Sequence, residues 1–481
     1  MQRKFLTNLG LLLFLNLLIK PFWILGIDRT VQNLVGAAEY GMYFAVFNFS
    51  FLFNIMLDFG ITNFNNKNIA QNNHLLNKHF SAILVLKFML AIGYFLLVML
   101  FAWIVGYDHT QFRFLIFLAI NQFLISLILY LRSNISGLLL FKTDSMLSVL
   151  DRVIMVLICS ILLWGGITHN VFKIEYFVYA QTLAYLLTAI IALIVVTRKA
   201  AFRKLSWNWP FFILIVKQSF PFAILVLLMT FYNRLDSVML ERILPGVSGE
   251  QQSGIYASAY RLLDATNMIA YLFSVLLLPI FSKMLKSSES IEQMLKLSFT
   301  LLITLAIIVA SGSYFYSYDI MKMLYKDHVM QSSNVFSLLM FGFIPISTTY
   351  VFGTLLTANG NLKALNLMAA SGMLINFVLN IILIPRFEAV GSAWASLCTQ
   401  GFTALIQVIM VHRVFKLKVH FRFVSVLSVF VAGVVLINYF SRELTLPWFY
   451  SFFLMLVASS ILAFSLKLIH LKALLGIIRK G

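Results

Sequence analysis

Long apolar runs separated by short polar clusters organise the whole chain. Ending each run at a charge cluster or at Gly, Pro, Asn or Asp punctuation predicts helices near 6–27, 40–57, 80–105, 112–131, 145–164, 175–197, 218–242, 254–282, 297–317, 332–357, 364–385, 391–412, 423–440 and 447–468. Most runs approach or exceed the roughly 20 apolar residues that a bilayer crossing takes. The pattern therefore predicts an all-α polytopic membrane protein of fourteen spans. The first run follows Arg3 and Lys4, as a secretory signal would, but it contains Lys20 and Pro21 and lacks a small-residue cleavage pattern. It is expected to be a retained helix.

A repeat runs through this pattern. Glu39-Tyr40-Gly41-Met42-Tyr43-Phe44-Ala45-Val46-Phe47, opening the second span, is echoed by Gln252-Ser253-Gly254-Ile255-Tyr256-Ala257-Ser258-Ala259-Tyr260, opening the eighth, at an offset of 213 residues. The same offset lays the first span on the seventh, with Lys20 opposite Asn233 and one residue from Arg234. Six helices separate the copies, so both enter the membrane in one direction, as in parallel repeats related by an axis along the bilayer normal. The expected partition is an N-lobe over 1–210 with helices 1–6, a C-lobe over 211–420 with helices 7–12, and a final helix pair with a tail over 421–481.

Composition agrees. At 61% hydrophobic and 11% charged residues, the chain is far from the balance of a soluble domain. The net charge of +19, from 36 Lys and Arg against 17 Asp and Glu, is expected to orient the helices rather than to bind nucleic acid. With the N-terminus inside, 21 basic residues fall in loops on one face and 7 on the other. By the positive-inside rule both termini are then expected to be cytoplasmic. The loops are too short for an extramembranous catalytic domain. Cys159 and Cys398 lie in apolar stretches and do not indicate a disulfide framework. No His pair has metal-ligand spacing on a helix and no Walker-type glycine loop is present, so neither a metal nor direct ATP use is expected.

Charges inside the spans are the functional candidates, since each costs about 2.5–3.5 kcal/mol at a helix centre. Lys87, Arg113, Lys217 and Lys467 lie within about two turns of span ends and are expected to snorkel. Asp151 and Arg152 are adjacent and point about 100° apart, which predicts pairing to neighbouring helices instead of to each other. Lys20, Arg234 and Arg261 lie about 21, 24 and 10 Å along their own helices, all in the outer half of the bilayer. They are expected to form a cationic chamber. Asp264 and Asn267 follow Arg261 at three-residue steps on one face. Asp236 is two residues from Arg234 and points elsewhere. Excess cation argues for an anionic ligand, and guanidinium forks suit phosphate oxygens. Asp236 and Asp264 are candidates for carrying a coupling ion, H+ or Na+. Asn376 and Asn380 are expected to hydrogen-bond between helices.

These motifs, with Leu57-Asp58-Phe59-Gly60-Ile61-Thr62, Asn233-Arg234-Leu235-Asp236-Ser237, Leu278-Pro279-Ile280-Phe281-Ser282 and Asn376-Phe377-Val378-Leu379-Asn380 through Pro385 to Gly391-Ser392-Ala393, resemble bacterial polysaccharide biosynthesis proteins of the Wzx type. Those O-antigen flippases belong to the multidrug/oligosaccharidyl-lipid/polysaccharide exporter (MOP) superfamily. The resemblance covers almost the whole chain. It implies a MATE-like fold of two six-helix lobes, no catalysis, and alternating-access movement of an undecaprenyl-pyrophosphate-linked oligosaccharide from the cytoplasmic to the periplasmic leaflet. It places substrate binding on Lys20, Arg234 and Arg261, with Arg29 at the outer mouth and Asn233 and Asn267 beside them. It also brings the membrane lipids, and a polysaccharide polymerase with its chain-length machinery, into view as partners. Two departures stand out: Glu388 replaces a glycine, and the first helix carries a Lys in place of Arg. A lipid II flippase, a multidrug cation antiporter and a membrane glycan polymerase or ligase are the rivals. The antiporter would need an acidic chamber, and the polymerase a long external loop.

Overall fold

A computed structural model describes residues 15–16, 18–19, 21–62, 65–66, 69, 74–138, 140–165, 172–199, 207–417 and 420–469. Among these, the regular elements are all helical. A π-helical segment, Trp23–Asp28, leads into α1 (Arg29–Leu52). There follow α2 (Leu75–Val105), α3 (His109–Gly137), α4 (Phe141–Trp164), α5 (Ile174–Thr197), α6 (Trp209–Ile243) and α7 (Gly246–Lys286). The remainder comprises α8 (Glu292–Phe315), the short α9 (Ser317–Leu324), α10 (Val329–Phe341), α11 (Phe343–Ala358), α12 (Leu362–Phe415), α13 (Phe421–Arg442) and α14 (Trp448–Ser465).

Local chemistry sets several boundaries. α2 stops at Gly106, which takes the left-handed conformation at φ 79° that a glycine adopts without strain. α3 starts on a reciprocal capping box, Asp108 accepting from the Gln111 N–H and the Gln111 side chain accepting from the Asp108 N–H. Asn208 caps α6 by accepting from the Phe211 N–H, with Pro210 in the first turn.

Eleven described helices are long and apolar enough to cross a membrane, and bends inside α12 and α1 mark two further boundaries between expected spans. α12 runs for 54 residues but breaks at Glu388 (φ 51°, ψ −133°). Ser392 Oγ donates to Asn380 Oδ1 at 2.7 Å and Gln407 Nε2 approaches Met368 Sδ at 3.8 Å. Such pairs close only if the chain folds back on itself. The break is thus the hairpin turn between the expected spans 364–385 and 391–412, where Glu388 adopts the positive φ that the missing glycine would favour. α1 bends in the same way at Gly36 (φ 85°). Tyr40 reaches back across that bend to donate to Asp28 Oδ2 at 2.7 Å, so the chain turns at Gly36, between the limits 27 and 40 of the first two expected spans.

The chain divides into two compact units, Met1–Gly254 and Ile255–Gly481. The expected lobes break at 210/211; the packing units break inside α7, because α6 lies along α1 and joins the first unit. Within that unit α3 packs on α5, and α5 on α4. In the second unit α11 packs on α12 and on α8, and the final pair, α13 and α14, packs together and against α8. Ile303, Ile307, Phe430, Val434 and Ala463 form the apolar seam of that docking.

Candidate functional site

The first unit holds the seventh-span candidates in α6, whose contact with the second arm of α1 is antiparallel and tightly specified. Asn48 Nδ2 donates to Ser237 Oγ at 2.8 Å, and the Arg234 guanidinium lies 5.3 Å from the centre of the Phe51 ring. The Phe53 and Phe231 rings meet edge-on at 6.0 Å. Arg234 is half-buried, and the electron-rich ring face offsets part of the water that the guanidinium loses there. Asp236 is 1% exposed, and Asn233 donates to the Met229 carbonyl of its own helix at 2.8 Å.

Lys20 lies outside the described residues. Arg29 differs from expectation: it falls within the helical arm before Gly36, not past its end. Its buried Nε has no hydrogen-bond partner among the described residues. Beside it Asp28, 2% exposed, is held by the Tyr40 hydroxyl.

The repeat has a physical counterpart here. A Cβ on Gly41 would lie 1.8 Å from the Glu250 carbonyl oxygen, and one on Gly254 would lie 1.9 Å from that of Ala37. Offset by 213 residues, Ala37 corresponds to Glu250 and Gly41 to Gly254. Each member of one copy thus meets the counterpart of its partner, as across a two-fold axis. Backbones approach this closely only where glycine removes the side chain. Ser253 Oγ then donates to the Gly41 carbonyl at 3.1 Å, and Gln32 Nε2 to that of Gly254 at 2.8 Å.

Three further polar clusters belong to the first unit. Lys87 is 1% exposed and donates to Asp58 Oδ1 at 2.5 Å, to the Leu57 carbonyl at 2.9 Å and to Ser126 Oγ at 2.9 Å. The expectation that it snorkels is overturned. α1 ends at Leu52 and the chain continues as a 3-10 turn to Leu57, which leaves a carbonyl and a carboxylate inside the helices for the ammonium to satisfy. Arg113, Lys217 and Lys467 are exposed at their side chains, as expected. Arg152 donates to the Tyr185 hydroxyl at 2.9 Å and sits 5.7 Å from the Trp23 ring centre. It also reaches Asp151 at 3.8 Å, a correction to the expectation that neighbours in sequence stay apart; a long guanidinium stem spans the angular gap. At the far end of α6, Glu241 binds both Arg242 and Gln111, and Arg242 donates to Gln111 Oε1 at 2.9 Å and stacks 4.6 Å from the Tyr107 ring centre. Burial, with Glu241 adding to it, pushes the Tyr107 phenol well above its ordinary range.

In the second unit, Arg261, Asp264 and Asn267 follow one another along α7 and are all half-buried. Asn267 Oδ1 is buried with no hydrogen-bond partner among the described residues. Asn376 and Asn380 behave as expected of inter-helix bonding, Asn380 joining Ser392 across the α12 hairpin while donating to the Asn376 carbonyl at 3.0 Å. Among the described residues no group of His, Cys, Asp and Glu fits a metal ion.

Asp28, Asp58 and the Glu241–Arg242 pair were not among the sequence candidates. Asp28 and Asp58 each lie one residue beyond an expected span limit, at 27 and 57. Extending each span to the next turn-forming glycine, Gly36 or Gly60, would have included both.

The polysaccharide biosynthesis protein family profile matches residues 6–285. A search of curated proteins finds no match. Among solved structures, the lipid II flippase MurJ in an inward closed conformation superposes with a TM-score of 0.72 at 13% identity, over 95% of this chain and 97% of that one. An inward-facing multidrug resistance MATE family transporter of the MOP superfamily superposes at 0.61 with 12% identity, over 84% of this chain and 96% of that one. A MOP superfamily transporter from Pyrococcus furiosus, described as having a binding pocket of reverse polarity, does so at 0.60 with 11% identity, over 84% and 94%. The chain therefore belongs to the polysaccharide biosynthesis protein family and has the fold shared by MurJ and the MATE transporters of the MOP superfamily.

Proposed function

We propose that this protein is a flippase for an undecaprenyl-pyrophosphate-linked oligosaccharide, moving its sugar head from the cytoplasmic to the periplasmic leaflet by alternating access. The observation that carries the reading is the polysaccharide biosynthesis profile lying on a chain with eleven described helices long and apolar enough to cross a membrane. Family membership supports the glycan, and the MurJ-like fold supports the transporter.

Arg234 and Arg261, with Lys20 and Arg29, would attract the pyrophosphate. Fixed cations in a low-dielectric interior replace the water that the head loses. The buried Nε of Arg29 and the buried Oδ1 of Asn267, neither with a hydrogen-bond partner among the described residues, support this, because buried polar groups without partners stand ready for a ligand. Asn233 and Asn267 would read sugar hydroxyls, and Asp236 or Asp264 would carry the coupling ion. The excess of loop cations on one face supports a reading with both termini cytoplasmic, in the inner membrane of a bacterial cell, and the polymerase machinery would receive the product on the other side.

A lipid II flippase is the second reading, favoured by the match to MurJ across nearly the full length of both chains. Replacing Arg234 or Arg261 with Ala separates the assignments. Loss of surface glycan, with the variant still reaching the membrane, is the expected result; wild-type glycan in both variants would remove the cations from the substrate path. Loss of viability with glycan intact would point to lipid II.

A further inference from the structure

α2 and α6 of the first unit enclose a groove of about 550 Å³ that the flippase reading leaves unused. Leu86, Met89, Leu90, Phe212, Ile213 and Phe220 make its walls, and Lys217 is the one charged residue among its lining. The residues from Trp209 to Phe220 on α6 span about 16 Å at the helical rise, close to half of the roughly 30 Å hydrocarbon core. The groove is thus one leaflet deep. Its shallow end carries Trp207 and Trp209, stacked at 6.3 Å, and the His79 ring stacked on Phe211 at 4.4 Å, aromatic groups of the kind that sit at headgroup level. Lys78 is exposed at the same end of α2.

Charge along the walls has one sign. α2 has no Asp or Glu from Leu75 to Val105, and the first carboxylate of α6 is Asp236, about 28 Å along the helix from Lys217. Lys87 faces inward and is taken up by Asp58. Lys217 is the cation that remains at the groove, with a stem long enough to carry its ammonium toward the interface.

We infer that this groove binds an anionic phospholipid, with one acyl chain lying between α2 and α6 and the phosphate held by Lys217. The apolar walls match a fatty acyl chain of one leaflet, and a polyprenyl tail outruns a groove of this depth. The missing carboxylates make an anionic headgroup the complementary one. The site is separate from the cations assigned to the glycan carrier, so it stands whether or not that assignment does.

Purified full-length protein in nanodiscs of phosphatidylcholine, with phosphatidylglycerol added, tests this by native mass spectrometry of retained lipid and by thermal unfolding. Wild type is expected to retain phosphatidylglycerol over phosphatidylcholine and to gain several degrees of thermal stability from it. Lys217→Gln should weaken retention at least tenfold, and Leu90→Trp, which fills the groove without touching charge, should do the same. Equal retention of both lipids, or no change in either variant, would reduce the groove to ordinary lipid contact and overturn the inference. Displacement of phosphatidylglycerol by undecaprenyl phosphate at equal concentration would overturn it as well, by making the groove part of the substrate path.

Discussion

The two units bury polarity in different currencies. Inside the first, neutral pairs such as Asn48 with Ser237 stand beside contacts that carry charge: Lys87 with Asp58, Arg152 with Asp151 and Tyr185, Arg242 with Glu241, Asp28 with Tyr40. In the second, Asn380 with Ser392, Asn438 with Ser311, Tyr316 with Ser441 and Ser274 with Thr354 are neutral pairs. The ion pairs His420–Glu292 and Arg442–Asp319 of the second unit lie at helix ends with partly exposed side chains. A charge left alone in a low-dielectric interior is penalised far more than an amide or hydroxyl left alone. A single change at one of the first unit's buried charged pairs is therefore expected to cost more than one at a neutral pair of the second.

The largest expected effect tests that difference at its core. Lys87→Ala leaves Asp58 and the Leu57 carbonyl without their cation, and loss of one partner of a buried pair costs about 3–5 kcal/mol. Thermal unfolding in detergent should show this, and Lys87→Met combined with Asp58→Asn should recover much of it. A single variant as stable as wild type would break the comparison. Next comes Gly41→Ala, and Gly254→Ala with it. The added methyl meets backbone at under 2 Å, and backbone yields less readily than side chains, so about 1–3 kcal/mol of destabilisation is expected. Equal losses from the two variants would sharpen the two-fold character of that contact.

In the second unit Asn380→Ala removes only neutral bonds. Such bonds are worth on the order of 0.6 to 1.7 kcal/mol within membranes, so its unfolding should shift distinctly less than that of Lys87→Ala. A larger loss would contradict the contrast. The smallest effect has the opposite sign. Glu388→Gly relieves a non-glycine residue at positive φ, worth roughly 1–2 kcal/mol, against the entropy glycine adds to the unfolded chain, roughly 0.5–1 kcal/mol. A gain of up to about 1 kcal/mol is expected, read as a raised unfolding midpoint.

Helix number and order were legible because apolar runs and their punctuation report directly on what enters a bilayer. Hairpin turns were less so. At Gly36 the turn is a single residue inside a near-continuous helical signal, and the span ends drawn at 27 and 40 straddle it. The candidate site was legible where charge fell well inside a run, as with Arg234 and Arg261. It was hidden where a partner sat just past a run's end. Lys87 reads as a snorkelling lysine until Asp58, beyond the second span, is folded against it. Glu388 was visible as a departure from the family pattern, but only the backbone shows that it occupies a turn. The short α9 is amphipathic and too brief to stand out between apolar neighbours.

Flipping of a lipid-linked glycan is the central claim, and its most direct test is the sidedness of that lipid. In cells lacking the protein, undecaprenyl-linked repeat units should accumulate on the cytoplasmic face of the membrane and vanish from the periplasmic face. Wild-type protein should restore them there, and the Arg234→Ala, Arg261→Ala double variant should not. Repeat units appearing on the periplasmic face at normal levels without the protein would contradict the account.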